Sequence, residues 1–159
     1  MTPTLTRGLI LLGLVLVVGG IDVAIFGKER VIREGETVYL ELAPVDPRSL
    51  MQGDYMALRF RLADAIDAWR RTDDRHRARR APLAVDPRGV ARLADDEDAP
   101  LALAFSIRNG RVWLGTNAYF FSEGTAGRYT GARYGEFRID PSSGEAVLVG
   151  LRDEDLNPL

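Results

Sequence analysis

Residues 44–62 read PVDPRSLMQGDYMALRFRL. The first half is dense in Pro, Asp and Gly, the residues that bend a chain. From Tyr55 onward, Met56, Leu58, Phe60 and Leu62 alternate with Tyr55, Ala57, Arg59 and Arg61. Successive side chains leave a strand on opposite sides, so a period of two predicts a strand with one buried face. Immediately upstream, TVYLELA at 37–43 places Val38, Leu40 and Leu42 on one face and stops at Pro44. With only 45–52 between them, the two runs are expected to pair antiparallel.

Downstream the period changes. Leu62, Ile66 and Trp69 fall at i, i+4 and i+7, one face of a helix, so a helix of about three to four turns is expected within 63–80, with Asp64 and Asp67 at its dipole-favoured start and its distal part from Arg70 a solvated surface. Asp86-Pro87-Arg88-Gly89 fits a type I turn inside a hairpin over 82–93, and the acidic DDED at 95–98 follows as a loop. LALAFSIRNGRVWLG at 101–115 is the clearest hairpin, because Asn109-Gly110 suits a two-residue type I′ turn. Folding there opposes Ile107 to Val112, Phe105 to Leu114 and Leu103 to Thr116, with Ser106 and Trp113 meeting on the other face. Residues 117–132 carry three successive aromatics and then several glycines, a short helix or an irregular loop. Residues 133–140 and 145–151 flank Pro141-Ser142-Ser143-Gly144 as a last hairpin, and the acidic tail caps an edge.

Upstream, 8–27 lies between Arg7 and Lys28 with Asp22 as its only charge. Twenty helical residues cover about 30 Å, the thickness of a bilayer's hydrocarbon. A cleaved signal peptide is the rival, but its apolar core is normally shorter and an Ala-x-Ala site is missing. The division that follows is an N-terminal transmembrane anchor at 1–27, a juxtamembrane linker at 28–36 and a β-rich domain at 37–159. Lys28, Arg30 and Arg33 outnumber Arg7, which on the positive-inside count would keep the domain cytoplasmic.

Composition excludes several chemistries. A net charge of -2 lacks the basic footprint of a nucleic-acid binder. With no cysteine, thiolate catalysis and Cys-based metal sites are out, and Lys28 is the only lysine, so the domain holds no Ser/Lys base and no Walker lysine. The single histidine, His76, stands between Arg75 and Arg77 on the outer part of the helix, where neither a triad nor a histidine-rich metal site is expected. DDED and 153–155 offer oxygen ligands without EF-hand spacing and read as solvated loops. No cofactor and no metal is expected. The stretch 70–80 has six arginines against Asp73 and Asp74, an excess of four positive charges, and is a candidate for anionic lipid as well as a solvated helix face.

The segment Gly53-Asp54-Tyr55-Met56-Ala57-Leu58-Arg59-Phe60 resembles the GDYXXLXY family, small bacterial proteins with an N-terminal hydrophobic segment. Phe60 keeps the ring of the family's last Tyr and loses its hydroxyl. The lead-in at 44–48 and Arg133-Tyr134-Gly135-Glu136-Phe137-Arg138 also look like the family. The resemblance implies a membrane-anchored domain with an export-type N-terminus, in a bacterial inner membrane with the domain extracytoplasmic, against the charge count. It implies no reaction. Leu50 to Tyr55 also resembles the strand entry of type I signal peptidases, but Val45 and the missing lysine withhold the nucleophile and base.

The fold expected is mainly β (α+β): an antiparallel sheet or small β barrel or sandwich with one packed helix, preceded by one transmembrane helix. A candidate recognition patch comprises Asp46, Arg48, Gly53, Asp54, Tyr55, Arg133, Tyr134 and Glu136, with no catalytic residue assigned. The function expected is a single-pass, non-catalytic binding or accessory module beside another membrane protein, held in the bilayer through 8–27. The alternative is a membrane-tethered hydrolase using Asp54 and Glu136 from neighbouring strands.

Overall fold

The computed structural model describes residues 3–43, 51–52, 55–72, 79–96 and 99–159. It is α+β: one long apolar helix, one short helix and several small antiparallel sheets. Helix α1 (Pro3–Glu34) is long and apolar enough to cross a membrane, and its 11–27 side chains are exposed, with Leu16 and Val23 among those most open. The helix continues to Glu34, so its last two turns cover most of 28–36, the stretch expected as a juxtamembrane linker. Arg30 pairs with Glu34 and Arg33 with Glu29 at i,i+4 spacing, an arrangement that supports a helix.

Strand β1 (Glu36–Glu41) starts one residue later and pairs antiparallel with β10 (Tyr134–Ile139), which pairs in turn with β11 (Ala146–Arg152). Val38, Leu40, Phe137 and Ile139 line the inner face and are almost fully buried. The expected partnership of 37–43 with 55–62 is reduced to a bridge between Leu42 and Phe60 and a hydrogen bond from the Ala43 amide to the Arg59 carbonyl. Strand β10 takes β1 because the final hairpin offers a full ladder of six residues, whereas β3 (Tyr55–Ala57) is short and pairs with β2 (Met51–Gln52) and β9 (Ala118–Phe120). The burial alternation nonetheless holds to the end: Met56, Leu58, Phe60 and Leu62 are buried and Arg59 and Arg61 exposed. Beyond Ala57 the chain is extended without being in a ladder, then enters α2 (Arg61–Thr72).

Leu62, Ile66 and Trp69 of α2 face the core as the spacing requires. Asp67 ties the helix to the Asn109-Gly110 hairpin, accepting from the Val112 amide at 3.2 Å, and also accepts from Arg70 of its own helix at 3.4 Å. Strands β4 (Arg80–Val85) and β5 (Ala91–Leu93) form the expected hairpin, whose Asp86 carboxylate accepts the Arg88 and Val90 amides. The Asn109-Gly110 hairpin is present too, both residues in the left-handed region, which Asn and Gly tolerate best. Its ladder is shorter than expected. Strand β7 (Ser106–Arg108) pairs with β8 (Arg111–Trp113), but β6 (Leu101–Ala104) leaves it at Phe105 and pairs with β4, so Leu103 faces Ala81 and not Thr116. Residues 117–132 resolve into β9 and a 3-10 turn at Ala126–Tyr129.

Candidate functional site

Two surfaces take up the described members of the expected patch. On the outer face of the β1–β10–β11 sheet, Tyr39 lies opposite Glu136 and Glu41 opposite Tyr134. Glu136 is the one buried charged side chain of the described core, 8% exposed. Arg152 satisfies it, donating from Nε to Oε2 at 2.8 Å, and the same guanidinium reaches the Leu156 carbonyl at 3.4 Å. That carbonyl is aimed by a turn in which Asp153 accepts the amides of Asp155 and Asn157, while Leu156 takes a positive φ of 67°. A left-handed conformation of this kind costs a leucine of the order of 1 kcal/mol or more. The backbone bonds to Asn157 and Asp155, helped by Arg152, hold the Asp153 carboxyl below the usual range. The same tail covers the β11 edge, its Leu159 amide donating to the Leu151 carbonyl.

Register explains how Arg152 comes to Glu136. A regular hairpin about 141–144, in which Ile139 faces Ala146, would set Glu136 against Val149; a bulge at that point instead sets it against Gly150, with Arg152 facing Tyr134. A Cβ at Gly150 would stand 3.7 Å from Glu136 Oε2, an ordinary van der Waals contact, so the carboxylate lies directly over that residue.

The second surface is the outer face of the β2–β3–β9 sheet. Tyr55, the third residue of the motif, is half-buried and lies opposite Phe120 with ring centroids 5.8 Å apart. Phe120 is 76% exposed. The alternation of β9 sends its neighbours inward: Tyr119 and Phe121 both pack on the buried Tyr129, at 5.3 and 5.1 Å. Burial, and then the nearby Tyr129, push the Tyr119 phenol up.

Of the expected patch, Tyr134 and Glu136 share one face of β10. Arg133 precedes them and is exposed, its carbonyl accepting from the Leu42 amide. Tyr55 belongs to a different sheet. Asp46, Arg48, Gly53 and Asp54 lie outside the described residues, as do 73–78 of the basic stretch. The expectation that Asp54 and Glu136 stand on neighbouring strands falls on a residue outside the described ones; the neighbours of β10 are β1 and β11. Sequence reasoning passed over Phe120 and Arg152. The former was open to view, because the middle of three aromatics in a strand faces away from its neighbours. The latter depends on the bulge.

A family model described as GDYXXLXY protein matches residues 17–151. Among functionally curated proteins and among solved structures there is no match.

Proposed function

The chain belongs to the GDYXXLXY family, and from that premise we propose that it is a single-pass, membrane-anchored accessory module that docks a neighbouring membrane protein. The observation that carries this reading is the Tyr55–Phe120 pair. A large aromatic that is 76% exposed, its ring tilted against that of the motif's own tyrosine on the edge strand of a small sheet, is the residue type and placement that anchors protein interfaces. Retention of the helix as an anchor is supported by its contacts with the domain: Val31 is 4% exposed and Lys28 pairs with Glu145. The proposed setting is a bacterial inner membrane, with the domain on the extracytoplasmic side as in the export-type arrangement of such chains. The carboxylate-based hydrolase is the weaker reading, because Arg152 already occupies Glu136.

Affinity isolation of the full chain from its native membrane tests the proposal. Phe120→Ala should lose a partner that the unaltered chain retains, while its stability stays within about 0.5 kcal/mol, as for exposed positions generally. A partner retained by a folded Phe120→Ala chain would overturn the docking site.

A further inference from the structure

The domain carries a second surface, separate from the aromatic pair, whose position is traceable from the anchor. Lys28 is the first residue beyond the apolar span, and its ammonium pairs with Glu145. The turn that precedes Glu145 faces the end of the helix across a cleft lined by Arg30, Val31, Glu34 and Gly35 on one side and Asp140 and Pro141 on the other. The far side of that turn meets the central strands: the Gly144 carbonyl accepts from the Ala104 amide at 2.7 Å, and Arg80 donates to the Ser142 carbonyl at 3.1 Å. Ala104 is two residues before the β7–β8 hairpin, and Gly115, two residues after it, faces the Ala146 carbonyl. The hairpin therefore rises from the part of the domain that touches the end of the anchor.

Charge there is unbalanced. Around the helix end each base has an acid: Lys28 with Glu145, Arg30 with Glu34, Arg33 with Glu29. At the hairpin and beside it, Arg71, Arg79, Arg108 and Arg111 are exposed and none is in an ion pair with a described residue. Arg70, next to them, shares Asp67 and lies 6.0 Å from the Phe105 ring. Arg108 stacks over Trp113 at 4.2 Å, and Ile107 is 41% exposed. By the register of the ladder, Arg108, Arg111 and Trp113 share one face of the hairpin and Ile107 lies on the other; guanidiniums beside an indole suit the phosphates and the interfacial zone of a bilayer surface.

We propose that the β7–β8 hairpin, with Arg71 and Arg79 beside it, docks onto the anionic phospholipid headgroups of the membrane that α1 spans. The proposal rests on α1 being inserted, and the test separates the two. The cysteine-free chain permits a single label: Ile107→Cys carries a fluorophore in full-length protein, one copy per lipid nanodisc, with a quencher on the headgroups. Glu154→Cys, at the far end of β11, serves as the distant reference. If α1 does not insert, no disc loads, and both the membrane reading and the docking fall. In loaded discs containing phosphatidylglycerol, the label at 107 should be quenched well beyond that at 154. In phosphatidylcholine discs, or with Arg108→Gln and Arg111→Gln, the excess should collapse, the docked fraction ratio falling about fivefold per arginine. Equal quenching at the two sites, equal quenching in the two lipids, or an effect present only with two copies per disc overturns lipid docking and leaves insertion standing. Should Ile107→Cys disturb the hairpin, Ala68→Cys on the exposed side of α2 gives the same readout without touching it.

Discussion

The β1–β10–β11 sheet and the β2–β3–β9 sheet contain comparable chemistry, aromatics and charges on short antiparallel strands, and use it oppositely. In the first, the inner face is sealed by Val38, Leu40, Phe137 and Ile139, and the outer carboxylate is held by Arg152. In the second, the inner face is also sealed, through Met56, but an outer aromatic is left open at Phe120. A sheet whose buried carboxylate already has its partner suits a scaffold, whereas an exposed ring beside a half-buried tyrosine offers the apolar part of a contact surface.

Substitutions that exchange the two behaviours should break the contrast. The largest effect is expected from Phe137→Ala, which removes a fully buried ring packed edge-on against Phe60; chemical denaturation should show a loss of about 3–5 kcal/mol, against almost none for Phe120→Ala. Next is Arg152→Met, which strands Glu136 in its sheltered position. Breaking such a pair costs about 2–4 kcal/mol after allowance for its partial exposure, and adding Glu136→Gln should recover part of it in a double-mutant cycle. A loss that is purely additive would mean that the pair is not coupled.

The smallest effect concerns the turn beside the anchor. Hydrogen bonds from the Ser142 hydroxyl and amide hold the Asp140 carboxyl at about 2, below its ordinary 3.8. A depressed carboxyl contributes stability that is present above the unfolded value and lost as pH falls through the folded one. The unaltered chain should therefore lose stability between about pH 4 and pH 2 at this site, and Asp140→Asn should flatten that part of the curve. Denaturant midpoints taken across this range check it; superimposable slopes would show that the turn does not depend on the charge.

Much of this is legible in the residues themselves. The alternation of Met56, Leu58, Phe60 and Leu62, the helix face of Ile66 and Trp69, and the Asn109-Gly110 turn are local rules acting on local sequence, and the structure keeps each of them. Partner choice is not local. Leu103 satisfies a ladder with Thr116 as well as one with Ala81, and only the docking of β4 decides between them. Arg152 meets Glu136 through one extra residue in β11, a shift that the periodicity of EAVLVGL does not announce. Helix at 28–34 was present in the i,i+4 charge pattern but obscured by the change from apolar to charged residues, which reads as the end of the segment. The motif's first two residues lie outside the described chain, so the site is legible only from Tyr55 onward.

Gly35 joins α1 to β1 with no slack. Its amide bonds the Val31 carbonyl, and a Cβ in its place would collide with that oxygen and with the backbone of Ile139. A domain carried on a loose tether samples a hemisphere and meets partners at a concentration set by linker length. One carried on a helix that passes into its own sheet is closer to a post: with α1 inserted as proposed, Phe120 would be presented at one height above the lipid and at one bearing around the helix axis, and rotation or tilt of the anchor would be conveyed directly to a partner docked on that ring.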